Sequence, residues 1–553
     1  MAVALEALKV CEALEGILKS TFGPNGLDVM LNSSSGNILI TNNGAVILKS
    51  LNLDNLIGRT IVDKIISYCC ISGDGGTSFL LLLTTTLREV VGLTGVKAKG
   101  NEMEISSHQR QSLIALSRAF HELESLLEVV LVPAFDKIAV KTDIDLKYLS
   151  LIKQRIVKLF VTTLNGKFPI STVSHFAEIL CELVTKTWSS SVMSLKDSLL
   201  YLIDEFPQIC IEVPGFPVLS SQVKSGILIP RGFATEQEGV PTDLQEFMFV
   251  VLNCSLDTSE PEISSSIRIR DNASFDASIQ WKRNQVQKVI VMFKDQNVRL
   301  ILSSHSVSDL VLHFCRQHGI AVVSMMPQEY ADYVCKFAGV LAMDSLDGDN
   351  LSELFLVKGI SCGLHCIGHH KFVHLQFDSL NCKLIPHSIL LCSPVQGLCK
   401  QYCLALHNAL KSAKMSFSED GKKLLFLPGA GACELAMSFS LKAFSKSVTG
   451  SHLLLVLEIL SKALQTIPKM LHQNSFSLSH QKDNVMFSLN EIERSWKQGG
   501  KLFGIDAKTG KPVDPFNLEI YEPLRGKSLL VQSLLQCLSQ LLRTEKFVIV
   551  PKK

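Results

Sequence analysis

The sequence predicts a multidomain α/β protein, in which a helical domain drawn from both chain ends carries an inserted α/β domain. Three observations support this. Apolar residues recur at helical spacing up to about Val91. Short apolar runs typical of buried strands, separated in part by helix-like stretches, occupy the middle of the chain. Long helical stripes return after about Ala405. At 553 residues the chain is long enough for about three or four domains.

The elements follow in order. Leu8, Cys11, Leu14, Ile17 and Leu18 place one apolar face on a helix over Ala2–Thr21, and Gly23-Pro24-Asn25-Gly26 stops it. Asn37–Thr41 and Ala45–Leu51 read as two short strands around Asn42-Asn43-Gly44. A helix is expected over Ile57–Cys70, then the Gly-rich loop Gly73–Gly76, then a helix from Thr77 to about Val91. In the middle, strands are expected at Gln208–Val213, Ser225–Pro230, Phe247–Leu252, Lys288–Phe293 and Leu300–Leu302, with a helix at Ser308–His318. Ser255–Ala277 is polar and reads as a protruding loop, and Asn474–Asn484 as a second loop. Helices are expected from near Ala405 and over Ala432–Ser445, Leu453–Leu471 and Ser528–Leu542. Phe547–Val550 is strand-like.

Composition narrows the function classes. Hydrophobic residues make up 47% and charged residues 19%, and mean hydropathy is +0.26. That apolar excess must be buried in cores or against partners. Net charge is +2 with no block of like charge, so nucleic-acid binding has no electrostatic support. Sixteen cysteines without a Cys-x-x-Cys pair read as free thiols in a reducing compartment. The start, Met1-Ala2-Val3-Ala4-Leu5-Glu6, has no basic leader, and the run Phe79–Leu83 is too short for a membrane span, which needs about 20 residues. The expectation is a cytoplasmic protein with no membrane span.

Two segments carry candidate chemistry. In Gly73-Asp74-Gly75-Gly76-Thr77-Ser78, glycines let backbone N–H groups approach phosphate, Thr77 and Ser78 offer hydroxyls, and Asp74 offers an oxygen ligand for Mg²⁺. An ordinary loop with Thr77 as helix cap explains the same residues. Asn43-Gly44 between two apolar runs is a hairpin-turn signal. Cys362, His365, Cys366, His369, His370 and His374 lie close together, but their spacing matches no zinc module, and Lys371–Leu375 reads as a strand that splays alternate side chains. No ordered Ser/His/Asp set, glycosidase carboxylate pair or GxGxxG is present.

Seven segments in order resemble the group II chaperonins, the family of the eukaryotic cytosolic chaperonin and the archaeal thermosome. They are Phe22–Asp28, Ile40–Lys49, Gly73–Ser78 (similar to G-D-G-T-T-S), Thr162–Lys167, Pro428–Glu434 (similar to P-G-G-G-A-x-E), Ala463–Pro468 and Tyr521–Pro523. The departures resemble the divergent chaperonin-like proteins linked to Bardet–Biedl syndrome. The resemblance implies an equatorial domain from 1–127 and 413–553, an intermediate domain from 128–206 and 359–412, and an inserted apical domain at 207–358. It implies that ATP, with Mg²⁺ through Asp74, is bound by Thr21, Gly23, Pro24, Asp74, Gly75, Gly76, Thr77, Ser78, Gly429, Ala430, Gly431 and Glu522. Glu522 would bond the ribose, although an acid ahead of Pro523 at a helix start explains it equally.

The departures matter most at two asparagines. Asn43 and Asn408 stand where the family patterns T-N-D-G-A and H-D-A-L carry aspartates that activate water. A carboxamide does not accept a proton near neutral pH. Further departures are Asn25 for a basic residue, Gly76 for a threonine and Ala430 for a glycine. The resemblance therefore implies an assembly chaperone for a multi-subunit ciliary protein complex with weak or absent hydrolysis, at the ciliary base or centrosome. Its partners would be protein clients, related chaperonin-like proteins and cytosolic chaperonin subunits. The alternative is a slow ATP-driven foldase. The chain reaches Gly23-Pro24 early, which argues against a closed homo-oligomeric ring. Ser255–Ala277, with Ile263, Ile267 and Ile269, would correspond to the lid segment.

Overall fold

A computed structural model describes residues 3–32, 38–95, 106–189, 193–235, 243–256, 272–344, 355–376, 385–475, 485–498 and 502–545. The chain divides into two compact units, Met1–Cys181 with Leu404–Lys553, and Glu182–Cys403.

The first unit is helical and is built from both chain ends, as its apolar periodicity requires. Its core runs from Val3 and Leu5 through Ile61, Phe120 and Leu460 to Leu542. The helix Gly76–Thr94 is its centre. Phe79, Leu80, Leu81, Leu82 and Leu83 are all fully buried, and five consecutive helical residues cover every face, so this helix is wrapped on all sides. By length and composition it would cross a bilayer, yet here its apolar residues form the core. The helix Ser107–Ile138 starts with a capping box, Ser106 and Gln109 bonding reciprocally. It packs on the last helix, Leu524–Arg543, where Ser117 Oγ donates to Ser539 O at 2.8 Å. A three-stranded antiparallel sheet joins early and late segments: Lys423–Pro428 lies between Val140–Asp143 and Tyr521–Pro523.

The second unit is α/β. Its six-stranded sheet runs in the order Ile227–Ile229, His370–Gln376, Val357–Ile367, Leu244–Leu252, Val298–Ser303, Ala321–Val323. The last three are mutually parallel. Helices Asn272–Asp295 and Asp309–Gln317 cover this part through Val286, Ile290, Phe293 and Val311. A second sheet holds the fully buried strand His387–Ser393 between Cys210–Pro214 and Gln222–Ser225.

Several expectations are corrected. Lys288–Phe293 is helical, within Asn272–Asp295. Its buried residues Val286, Ile290 and Phe293 are spaced by four and three, and the local run Val289-Ile290-Val291 hid that period. Ala45–Leu51 is not a strand: Gly44–Ser50 is a helix that buries Ile47 and Leu48. Ile38–Thr41 pairs instead with Val29–Asn32. Ser225–Pro230 is two strands in different sheets, broken at Gly226, whose φ of 107° is open to glycine. Leu453–Leu471 splits into Ser451–Leu464 and Thr466–Gln473, because Pro468 supplies no N–H to continue the first helix. Asn272–Ala277 begins a helix, whereas residues 257–271, including Ile263, Ile267 and Ile269, lie outside the described residues. So do residues 476–484 and the strand-like Phe547–Val550.

Candidate nucleotide site

The first unit contains a cavity of about 1090 Å³, around the upper end of ordinary small-molecule pockets. Thr21, Gly23, Pro24, Asn43, Asp74, Gly75, Gly76, Thr77, Ser78, Ala430, Gly431 and Glu522 all line it. Thr21 and Glu522, 501 positions apart in sequence, thus line the same cavity. Two candidates are not among the lining residues. Gly429 packs behind the surface, where a Cβ would lie 2.7 Å from Ile520 Cγ2 and 3.3 Å from Glu522 Cγ. Asn408 sits on the helix Gln396–Lys414, and its carbonyl oxygen lies against the Gly73 turn, 2.2 Å from where a Cβ on Gly73 would be.

The glycine-rich loop is formed by two helix ends. Gly73 closes the helix Leu56–Ser72 with φ 80°, its N–H donating to Cys69 O. Gly75, at φ 96°, precedes the Gly76–Thr94 helix and gives it no side-chain cap. The Gly76 N–H bonds the Cys69 sulfur, and no N-cap side chain takes up those of Thr77 and Ser78, two lining residues, so this helix start is a favourable place for anionic oxygens. A second long helix, Ala432–Phe444, starts at the cavity from Gly431, also without a side-chain cap. The absence of a side chain at Gly76 is explained by packing: a Cβ there would lie 2.9 Å from Cys69 Sγ.

Asn43 is a helix cap. Its Oδ1 accepts from Ala45 N at 3.1 Å, and its backbone is extended at φ −74°, ψ 109°. The Asn-Gly pair, read as a hairpin turn in sequence, caps the Gly44–Ser50 helix; asparagine and glycine suit both roles. Gly44 is required by closeness, since a Cβ there would fall 2.3 Å from Thr77 Oγ1. Thr21 is buried, and its hydroxyl donates to Leu18 O at 2.9 Å. Ala430 adopts φ 57°, a left-handed conformation that costs a non-glycine residue about 1–2 kcal/mol.

Asp74 and Glu522 are each paired with a lysine. Asp74 Oδ1 accepts from Gly75 N at 2.8 Å, and Oδ2 is 3.1 Å from Lys167 Nζ, whose side chain is only 14% exposed. Glu522 Oε2 lies 2.7 Å from Lys527 Nζ, and the same ammonium bonds the buried Glu434. Burial works against the Lys527 charge, but Glu434 and Glu522 hold its pKa well above the ordinary lysine value. Burial raises the Glu522 pKa, against the pull of Lys527 and with the push of Glu434. Lys167, Lys527 and Glu434 were not identified from sequence as site residues. Lys167 and Glu434 do end two of the motif segments, and that was the available signal.

A nucleotide fits this cavity by size, by the uncapped helix start and by the lysines. A resident divalent cation fits poorly: Asp74 is the single carboxylate on the loop, and both its oxygens are engaged. Among the described residues no group of three His, Cys, Asp or Glu side chains is arranged to hold a metal, the Cys362–His374 strands included.

A discontinuous helical unit with an inserted α/β unit, and a glycine-lined cavity in the helical unit, define a chaperonin-type subunit. The chain belongs to the TCP-1/cpn60 chaperonin family, which it matches over residues 14–552. It is 26% identical to the BBSome complex assembly protein BBS10 of Homo sapiens over 436 residues, 75% of this chain and 57% of that protein. The Mus musculus counterpart is also 26% identical, over 75% of this chain and 58% of its own length. The chain thus spans less than two thirds of these relatives. Thermosome subunit beta of Thermoplasma acidophilum is 22% identical over 98% of this chain and 91% of its own.

Proposed function

We propose that this protein is a chaperonin-like assembly chaperone that binds ATP, hydrolyses it weakly or not at all, and assists assembly of a multi-subunit ciliary protein complex. The observation that carries the reading is Asn43, a lining residue whose side-chain oxygen is committed to a helix cap. An amide there, and another at Asn408, leaves the two positions without a general base, a loss typically worth about 10²–10⁴ in rate. The similarity to BBSome complex assembly proteins supports the ciliary part. In this reading the partners are protein clients, related chaperonin-like proteins and cytosolic chaperonin subunits, in the cytoplasm or at the ciliary base. In this reading the cavity is lined by the equatorial domain, 1–127 with 413–553, and by the intermediate domain, 128–206 with 359–412, which supplies Lys167, and 207–358 forms the apical domain.

A slow ATP-driven foldase is the second reading. It is favoured by Asp74, which keeps a carboxylate on the glycine-rich loop for electrostatic catalysis. Calorimetric ATP binding and phosphate release, measured on one purified sample, separate the two. Binding with negligible release supports the assembly chaperone. Steady turnover that survives purification sinks it in favour of the foldase, and no binding refutes both.

A further inference from the structure

Four carboxylates reach the cavity: Asp74, Asp506, Glu519 and Glu522. Each already has a partner. Asp74 is held by Gly75 N and Lys167, and Glu522 by Lys527. Glu519 binds Lys158 at 2.8 Å and Gln154 at 2.9 Å. Asp506 accepts from Lys508 N at 3.0 Å and Thr509 Oγ1 at 2.8 Å. Mg²⁺ demands a near-octahedral oxygen shell at about 2.0–2.1 Å, which at a nucleotide draws on waters, phosphate oxygens and one or two unencumbered carboxylates. At the loop it would have to displace Lys167 and then sit beside that half-sequestered ammonium, like charge against like. The anion-binding features are of a different kind: the helix-start N–H groups of Thr77 and Ser78, which no N-cap side chain takes up, and the Lys167 ammonium.

We propose that this cavity takes the phosphate chain of a nucleotide as a bare anion, with Lys167 as the countercharge in place of a divalent cation. This rests on the nucleotide reading above. Lys167 exchanges its Asp74 partner for a phosphate oxygen, so Asp74 competes with the ligand instead of assisting it. The two roles for Asp74 predict opposite signs. In a metal-held site, removing its carboxylate abolishes binding. In this site, Asp74→Asn frees Lys167, removes a repelling charge and strengthens binding.

The test is titration of the full chain with fluorescent ADP and ATP analogues, first in EDTA and then in magnesium. The expected result is affinity equal within about threefold in the two media. Asp74→Asn should tighten binding in EDTA by about tenfold, and Lys167→Ala should weaken it by about tenfold. Asp74 is 48% exposed at its side chain, so the amide variant should melt with the wild type, and a melting curve verifies this. Binding that disappears in EDTA, or in a folded Asp74→Asn variant, overturns the inference and leaves the nucleotide reading standing. No binding of either analogue in either medium overturns both.

Discussion

Ala430→Gly should stabilise the helical unit, although most substitutions of alanine by glycine do the opposite. Ala430 is held at φ 57°, where its Cβ crowds the following carbonyl at a cost of about 1–2 kcal/mol. The conformation is fixed from outside: Ile505 N donates to Ala430 O at 2.8 Å, and Gly431 continues the turn at φ 77° into the Ala432–Phe444 helix. Against this gain, glycine adds freedom to the unfolded chain worth about 0.4–1 kcal/mol. The difference is a net stabilisation of about 0.5–1 kcal/mol, which for a unit of this size raises Tm by about 1–3 °C. Thermal unfolding gives the global value, and hydrogen exchange at the Ile505 amide gives the local one. A lower Tm with faster Ile505 exchange would refute the claim that Ala430 is strained, and with it the explanation of this turn as a glycine position occupied by alanine.

Further predictions concern the charges and the asparagines. Asn43→Asp with Asn408→Asp should raise phosphate release by up to about 10²–10⁴, because aspartate caps a helix as well as asparagine does and the fold is kept; an unchanged rate in a folded, ATP-binding variant would place the defect elsewhere. Lys527→Met leaves Glu434, 1% exposed, without its countercharge and should cost about 3–5 kcal/mol in denaturant unfolding, with part recovered in the Lys527→Met/Glu434→Gln double variant. Burial lowers the pKa of His387, whose Nδ1 contacts Ile385 O at 2.9 Å. Unfolded, this histidine binds protons below about pH 6.5, where the folded chain resists them, so stability falls as pH drops through that value. His387→Phe should flatten that slope in melting curves taken across it.

The outer plan was legible because it depends on period. Stripes such as Leu8, Cys11, Leu14 and Leu18 repeat on one face for whole helices, and all four are buried, whereas Ile17, expected on the same face, is exposed. Misreadings arose where a short segment fits two periods. Val289-Ile290-Val291 satisfies a strand locally, and only the spacing of Val286, Ile290 and Phe293 over a longer window reveals the helix. Ala45-Val46-Ile47-Leu48 has the same ambiguity, and the helix is the form in which Ile47 and Leu48 are buried in the core and Asn43 caps its start.

The site was legible in its loops but not in its ion pairs. Glycines announce themselves, because Gly73 and Gly75 need backbone angles that other residues resist. A lysine carries no such mark: nothing local to Lys167 states that it lies 3.1 Å from a carboxylate 93 positions earlier. Asn43 shows why residue type alone misleads. Its capping oxygen is the atom an aspartate would also supply, so the helix start tolerates either residue while the chemistry does not. Folding therefore places no obstacle to exchanging the carboxylate for the amide at this position, and the constraint that kept a base there must come from turnover. On the function proposed above, a chain that keeps the cap, the uncapped helix starts and the lysines, but not the base, would hold an anion longer than it cleaves it.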